Sequence, residues 1–142
     1  MEISGVMADY RIVACIPALA VLFDYSMTFI FSGGRDELLR LEFSPLVRYA
    51  VANDIVIVYL LFMMLFYYVV AFAALRLLRP TGLYGFGVVL LLLVAATHVL
   101  GGFSWVVRSA VYSLAVHGVS IAAVVVALAA FGYAVLQRPE KQ

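Results

Sequence analysis

The sequence predicts an all-α integral membrane protein: a bundle of four transmembrane helices with a short interfacial helix between the first and second. Two observations carry that reading. Hydrophobic residues make up 67% of the 142-residue chain and charged residues only 12%, half the charged share of an ordinary soluble domain, about 25%. The apolar residues also fall in blocks of roughly 20, the length that crosses a hydrocarbon core about 30 Å thick. Together they give a single domain, residues 1–142, lying almost entirely in the bilayer.

The first span is expected at about residues 12–31, with Pro17 in its first half as a candidate kink. Ser32-Gly33-Gly34 ends it, because glycine accepts the left-handed geometry of a helix C-terminus. Arg35 to Phe43 carries too much charge to span, and Leu38, Leu39 and Leu41 among those charges predict the short interfacial helix. Ser44-Pro45 then opens a second helix, serine as N-cap and proline at the first helical position. That helix is read as continuous, with Arg48, Asn53 and Asp54 in its first turns and residues 52–76 as its spanning part.

Arg76 to Gly82 makes a tight basic turn whose proline and glycine stop one helix and release the next. The third span is expected at residues 83–102, closed by Gly101-Gly102, and Trp105 and Arg108 mark an interfacial link. The fourth is expected at residues 110–136, before a polar tail in water. Its small residues Ala115, Gly118, Ala122, Ala129 and Gly132 favour close helix packing, inside the molecule or between copies.

Composition also excludes several classes. A net charge of +1 without a basic stripe argues against nucleic acid, and a lone Cys15 rules out an intrachain disulfide or a cysteine-based metal cluster. The stretch before Arg11 carries Glu2 and Asp9, and lacks the basic start of a secretory signal, so the first apolar block is expected to be retained. Four spans put both termini on one side of the membrane. That side has Arg11, Arg76, Arg79, Arg138 and Lys141 against Arg35, Arg40, Arg48 and Arg108 opposite, which assigns the termini to the cytoplasmic face of a cell membrane.

With that topology each span contributes one titratable group to the outer leaflet: Asp24, Asp54, His98 and His117. Asp24 lies seven residues before Phe31, about 10 Å below the boundary at 1.5 Å per residue. A charge at a helix centre costs about 2.5–3.5 kcal/mol on insertion scales and normally faces the bundle interior with a partner. Asp24 is therefore expected to be protonated, paired or metal-bound. Tyr25, Thr28, Asn53, Thr97, Tyr112, Ser113 and Ser120 are the polar neighbours of these four groups.

Four readings fit this cluster. Asp24, Thr28, Glu42, Asn53 and Asp54 form an ion-binding site or proton relay. His98, His117 and Asp24 bind a divalent metal, since imidazole with carboxylate suits zinc or iron. His98 and His117 clamp a haem from both sides. Or the groups simply bond one another and fix helix packing. In the loop, Asp36, Glu37 and Glu42 are separate candidates for acid–base chemistry.

Asp24-x-x-x-Thr28, a Gly-Gly turn and Glu42-x-Ser44-Pro45 together resemble a family of small prokaryotic membrane proteins classed as a domain of unknown function. Its pattern has an Asp and a Thr one turn apart in the first span and a Glu-x-Asn-Pro at the head of the second, with Ser44 here in the asparagine's place. The resemblance covers about residues 20 to 50 and implies a four-helix membrane protein without an assigned activity.

The leading expectation is a non-enzymatic membrane protein: an ion or small-solute transport unit, or an accessory subunit of a membrane complex, embedded in lipid as a homo-oligomer or within a larger assembly. The alternative is a membrane-embedded metal- or haem-binding protein, including a metalloenzyme.

Overall fold

A computed structural model describes residues 9–136, and all regular structure among them is helical. The readings made for the first eight residues and for the tail from Gln137 lie outside the described residues. Asp9 caps helix α1 (Tyr10–Phe31), its carboxylate accepting the Arg11 N–H at 2.9 Å, which satisfies one of the amides a helix start leaves unpaired. The helix runs through a fully buried Pro17. It ends where sequence placed the stop: the Ser32 N–H reaches the Thr28 carbonyl, and Gly33 and Gly34 follow with φ of +81° and +129°, conformations that cost glycine little.

A short helix α2 (Arg35–Leu41) comes next, with Asp36 and Glu37 in its first turn and Arg40 in its last, each sign on the end of the helix dipole that favours it. Ser44 caps α3 (Pro45–Ala52), its hydroxyl accepting the Val47 N–H at 3.4 Å. Leu38 of α2 and Val47 and Val51 of α3 are buried together, and Tyr25, Phe29 and Trp105 of the spans pack on them. The α2–α3 hairpin is thereby anchored to the bundle by an apolar cluster.

The expected continuous second helix is corrected here. α3 stops at Ala52, Asp54 takes a left-handed φ of +58°, and α4 (Val56–Leu78) starts afresh. Arg35 makes the break: its guanidinium donates to the Asp54 carboxylate and to the Ala52 carbonyl, both at 2.8 Å. One side chain thus closes the end of α3 and holds the turn, at a residue type that tolerates left-handed backbone. The second span accordingly begins at Val56 rather than residue 52.

A 3₁₀ turn (Arg79–Thr81) and a left-handed Gly82 lead into α5 (Tyr84–Val107). The expected stop at Gly101-Gly102 is also corrected, for the helix passes through both glycines and ends at Arg108 with φ +49°. A Cβ on Gly102 would lie 3.1 Å from the Asp24 Cα and from the Met27 Cβ. Glycine is needed there for close approach of α5 to α1, a use that membrane helices make of small residues. α6 (Ala110–Leu136) completes the chain.

Four of these helices are long and apolar enough to cross a membrane, which makes this a multi-pass membrane protein. α1 is central and packs against α4 and α5, whereas α6 packs chiefly on α5. Near the chain-terminal end of the bundle, Val13, Leu75 and Val88 form an apolar cluster flanked by Tyr10, Ile16, Tyr84 and Leu91. Ala14 and Ala18 of α1 and Ala71 of α4 are also buried. The other half, toward the α2–α3 hairpin, is polar.

Candidate functional site

Each span brings a polar stripe to that half at helical spacing. α1 contributes Asp24, Thr28 and Ser32, four residues apart and therefore on one face. α4 contributes Tyr59 and Tyr67, with Met63 between them at the same interval. α5 contributes Thr97, His98, Gly101 and Ser104, and α6 contributes Ser113, His117 and Ser120. All of them border one partly open cavity of about 750 Å³, which Glu37 and Leu41 of α2, Glu42 to Ser44, Leu46 and Val47 of α3, and Trp105 and Arg108 also line.

At its base, three protonatable groups from three spans form a chain. His98 Nδ1 lies 2.8 Å from Asp24 Oδ2, and His98 Nε2 lies 2.9 Å from the Tyr67 hydroxyl. The Tyr67 ring stands edge-on to the imidazole, 4.9 Å between centroids. Asp24 and His98 side chains retain 19% and 20% of their exposure, so the pair touches the cavity without being solvated like a surface pair. The tautomer that satisfies all three groups is the neutral one. Nδ1–H donates to the carboxylate, Nε2 accepts the Tyr67 O–H, and every polar hydrogen is used once. Beside it the Tyr25 and Tyr59 hydroxyls lie 2.8 Å apart.

Glycine shapes this base as well. A Cβ on Gly101 would sit 3.4 Å from both Asp24 carboxylate oxygens, so a side chain there would crowd the charge. The Thr28 hydroxyl is occupied with the Asp24 carbonyl at 3.0 Å, and that of Ser104 with the Gly101 carbonyl at 2.6 Å. At the rim, the Arg108 guanidinium donates to the Phe31 carbonyl at 2.9 Å and ties the ends of α1 and α5 together.

The sequence candidates divide in space. Asp24, Thr28, Glu37, Glu42, His98 and His117 border the cavity, but Asn53 and Asp54 do not. Asp54 is held by Arg35, and the Asn53 amide donates to the Tyr49 carbonyl on the exposed end of α3. His117 is exposed and packs at a tilt against Phe43, 5.9 Å between ring centroids, instead of joining Asp24 and His98. Both His98 nitrogens have protein partners. Among the described residues no three His, Cys, Asp or Glu side chains are grouped to hold a metal ion.

Glu42 accepts the Ser44 N–H at 2.8 Å. Burial pushes its carboxyl above the usual carboxylate range; the Ser44 hydrogen bond opposes that push and the Asp24 charge adds to it. Asp36 is exposed, and Glu37 lies within 3.4 Å of Arg40.

Tyr59 and Tyr67 were missed by sequence reasoning. Their signal is the eight-residue interval on one face of an otherwise apolar span. Comparison with family models, with curated proteins and with solved structures returned no match.

Proposed function

We propose that this membrane protein is a proton-linked transport unit for an ion or small solute, with Asp24, His98 and Tyr67 as its proton-handling groups. The observation that supports it most is the hydrogen-bonded chain of carboxylate, imidazole and phenol at the base of a cavity bordered by all four spans. Such groups inside a bilayer are costly, and proton or ion pathways are where they are used. Beyond the cavity, toward the termini, Val13, Leu75 and Val88 form a buried apolar cluster, and transport through the bundle then requires that half to part. With the termini in the cytoplasm, as the Lys and Arg distribution favours, the cavity faces outward.

Reconstitution into liposomes tests the reading. Under an imposed potassium diffusion potential, an entrapped pH dye should report proton movement above protein-free vesicles, and Asp24→Asn should return it to that background. A wild-type protein indistinguishable from empty vesicles would remove the reading.

A second reading, assembly into a homo-oligomer or a larger membrane complex, is favoured by α6. Ala115, Gly118 and Ala122 lie exposed on it, and nothing lies within 4 Å of a Cβ built on Gly118, so a second helix has room to pack there. The mass of the protein in mild detergent, set against that of a Gly118→Leu variant, tests it.

A further inference from the structure

We propose that the ligand of the cavity is a small organic cation, an ammonium group held by the Asp24 carboxylate and by the aromatic rings beside it. The proposal deepens the transport reading, on which it rests for what binding accomplishes; the choice of ligand class stands on the geometry of the cavity.

Charge decides the sign of the ligand. With His98 in the neutral tautomer that satisfies its two partners, the Asp24–His98–Tyr67 chain carries one negative charge, located on Asp24. His98 approaches only Oδ2; among the described residues no donor reaches Oδ1, and Asp24 lines the cavity. Among the described residues that line the cavity, Arg108 is the one arginine and there is no lysine. Arg108 borders the rim, but its guanidinium is already committed to the carbonyls of Phe31 at 2.9 Å and Trp105 at 3.3 Å. Glu37 and Glu42 border the cavity as well, with Arg40 3.4 Å from Glu37.

The aromatic lining decides between an organic cation and a bare one. Tyr25, Tyr59, Tyr67 and Trp105 border the same space as Asp24, and the electron-rich faces of such rings attract ammonium groups, Trp most strongly. A divalent metal ion would instead call for several anionic or imidazole ligands, and among the described residues no group of three exists. The volume, about 750 Å³, also falls in the range of roughly 300–1,000 Å³ in which pockets take drug-sized molecules. A metal ion alone would leave most of it empty.

Trp105 is the chain's one tryptophan, so its fluorescence reports occupancy of the cavity without a label. The purified protein in mild detergent is titrated with benzylammonium, with benzyl alcohol and benzoate as its neutral and anionic counterparts, and with potassium chloride alone. Calorimetry repeats each titration independently of the fluorophore. Benzylammonium should give a saturable change at least about tenfold tighter than benzyl alcohol, benzoate should give none, and Asp24→Asn should weaken benzylammonium by about tenfold, the loss of one modest charge interaction. The ranking of the three probes on wild-type protein needs no variant to fold. Benzoate binding as tightly as benzylammonium, benzyl alcohol matching it, or potassium alone saturating the signal would each overturn the proposal. Benzylammonium binding without proton movement in liposomes supports the ligand class and removes the transport reading. Proton movement with benzoate ranked first does the reverse.

Discussion

The two halves of this bundle are made from the same helices and close in opposite ways. Around Val13, Leu75 and Val88 the side chains are apolar and buried. Around Asp24 and His98 the same helices carry carboxylate, imidazole and hydroxyl groups, and the cavity sits between them. Inside a bilayer apolar side chains gain little by leaving lipid, so helix association rests on close packing and on interhelical hydrogen bonds. The first half uses the first device, and the second half adds the second to it, since Gly102 still brings α5 close to α1 beside Asp24. Polar groups must meet in specified pairs, and the space that no pair fills stays open. Packing alone thus fixes the apolar half, whereas the polar half adds a few directed bonds and has the space to admit a ligand.

Substitutions break or sharpen that contrast. The largest effect on stability belongs to the apolar half: Leu75→Ala, at a site with 0% exposure, should cost about 2–5 kcal/mol in reversible denaturation of the detergent-solubilised protein. It should leave the preference for benzylammonium unchanged. Tyr67→Phe, in the polar half, should cost only about 0.5–1.5 kcal/mol, the worth of one hydrogen bond, while altering proton movement in liposomes, the opposite balance of effects. If both substitutions moved stability and activity in proportion, the two halves would not be separable.

Glu42 gives a smaller effect with a definite pH sign. Its carboxyl is pushed above the ordinary range in the folded protein, so the native state binds that proton more tightly than the unfolded chain does. Its contribution is therefore most favourable at pH below the ordinary carboxylate range and declines as pH rises through the raised native value. Glu42→Gln, whose amide oxygen can still accept the Ser44 N–H, should raise the melting temperature at neutral pH. The gain should vanish in acid, at about pH 4. Smallest of all, Asp54→Asn, which keeps a residue type that tolerates the left-handed backbone, should change stability by less than about 1 kcal/mol, because the Asp54 side chain in the Arg35 pair is 78% exposed and lies outside the cavity.

Much of the fold was legible in the sequence because hydropathy sums over some twenty residues and is insensitive to any one of them. Two local stops were legible too. Gly33-Gly34 and Ser44-Pro45 act through their own backbone preferences, and the chain turns and restarts at both. The break at Asp54 was not, because it depends on Arg35, which lies 19 residues away in sequence. Gly101-Gly102 misled for a related reason. Read alone, paired glycines stop a helix, but here the close passage of α1 puts them in the helix interior.

The site follows the same division. Asp24 and His98 stood out because ionisable groups in spans are costly, but their meeting depends on how each helix is rotated. Rotation also turns His117 toward Phe43, and the break before α4 carries Asn53 and Asp54 to the surface. Tyr59 and Tyr67 passed unnoticed because tyrosine in a span reads as an interfacial anchor unless its spacing is weighed.

The central claim is that Asp24, His98 and Tyr67 share protons as one unit. The chain has two histidines, so ¹⁵N-histidine NMR of the detergent-solubilised protein separates them, His117 serving as the internal reference. One imidazole should hold its proton on Nδ1 in a hydrogen bond, and Asp24→Asn and Tyr67→Phe should shift its two nitrogen signals while the second imidazole stays unchanged. Two exchanging imidazoles, neither of them responding to Asp24→Asn, would contradict the account.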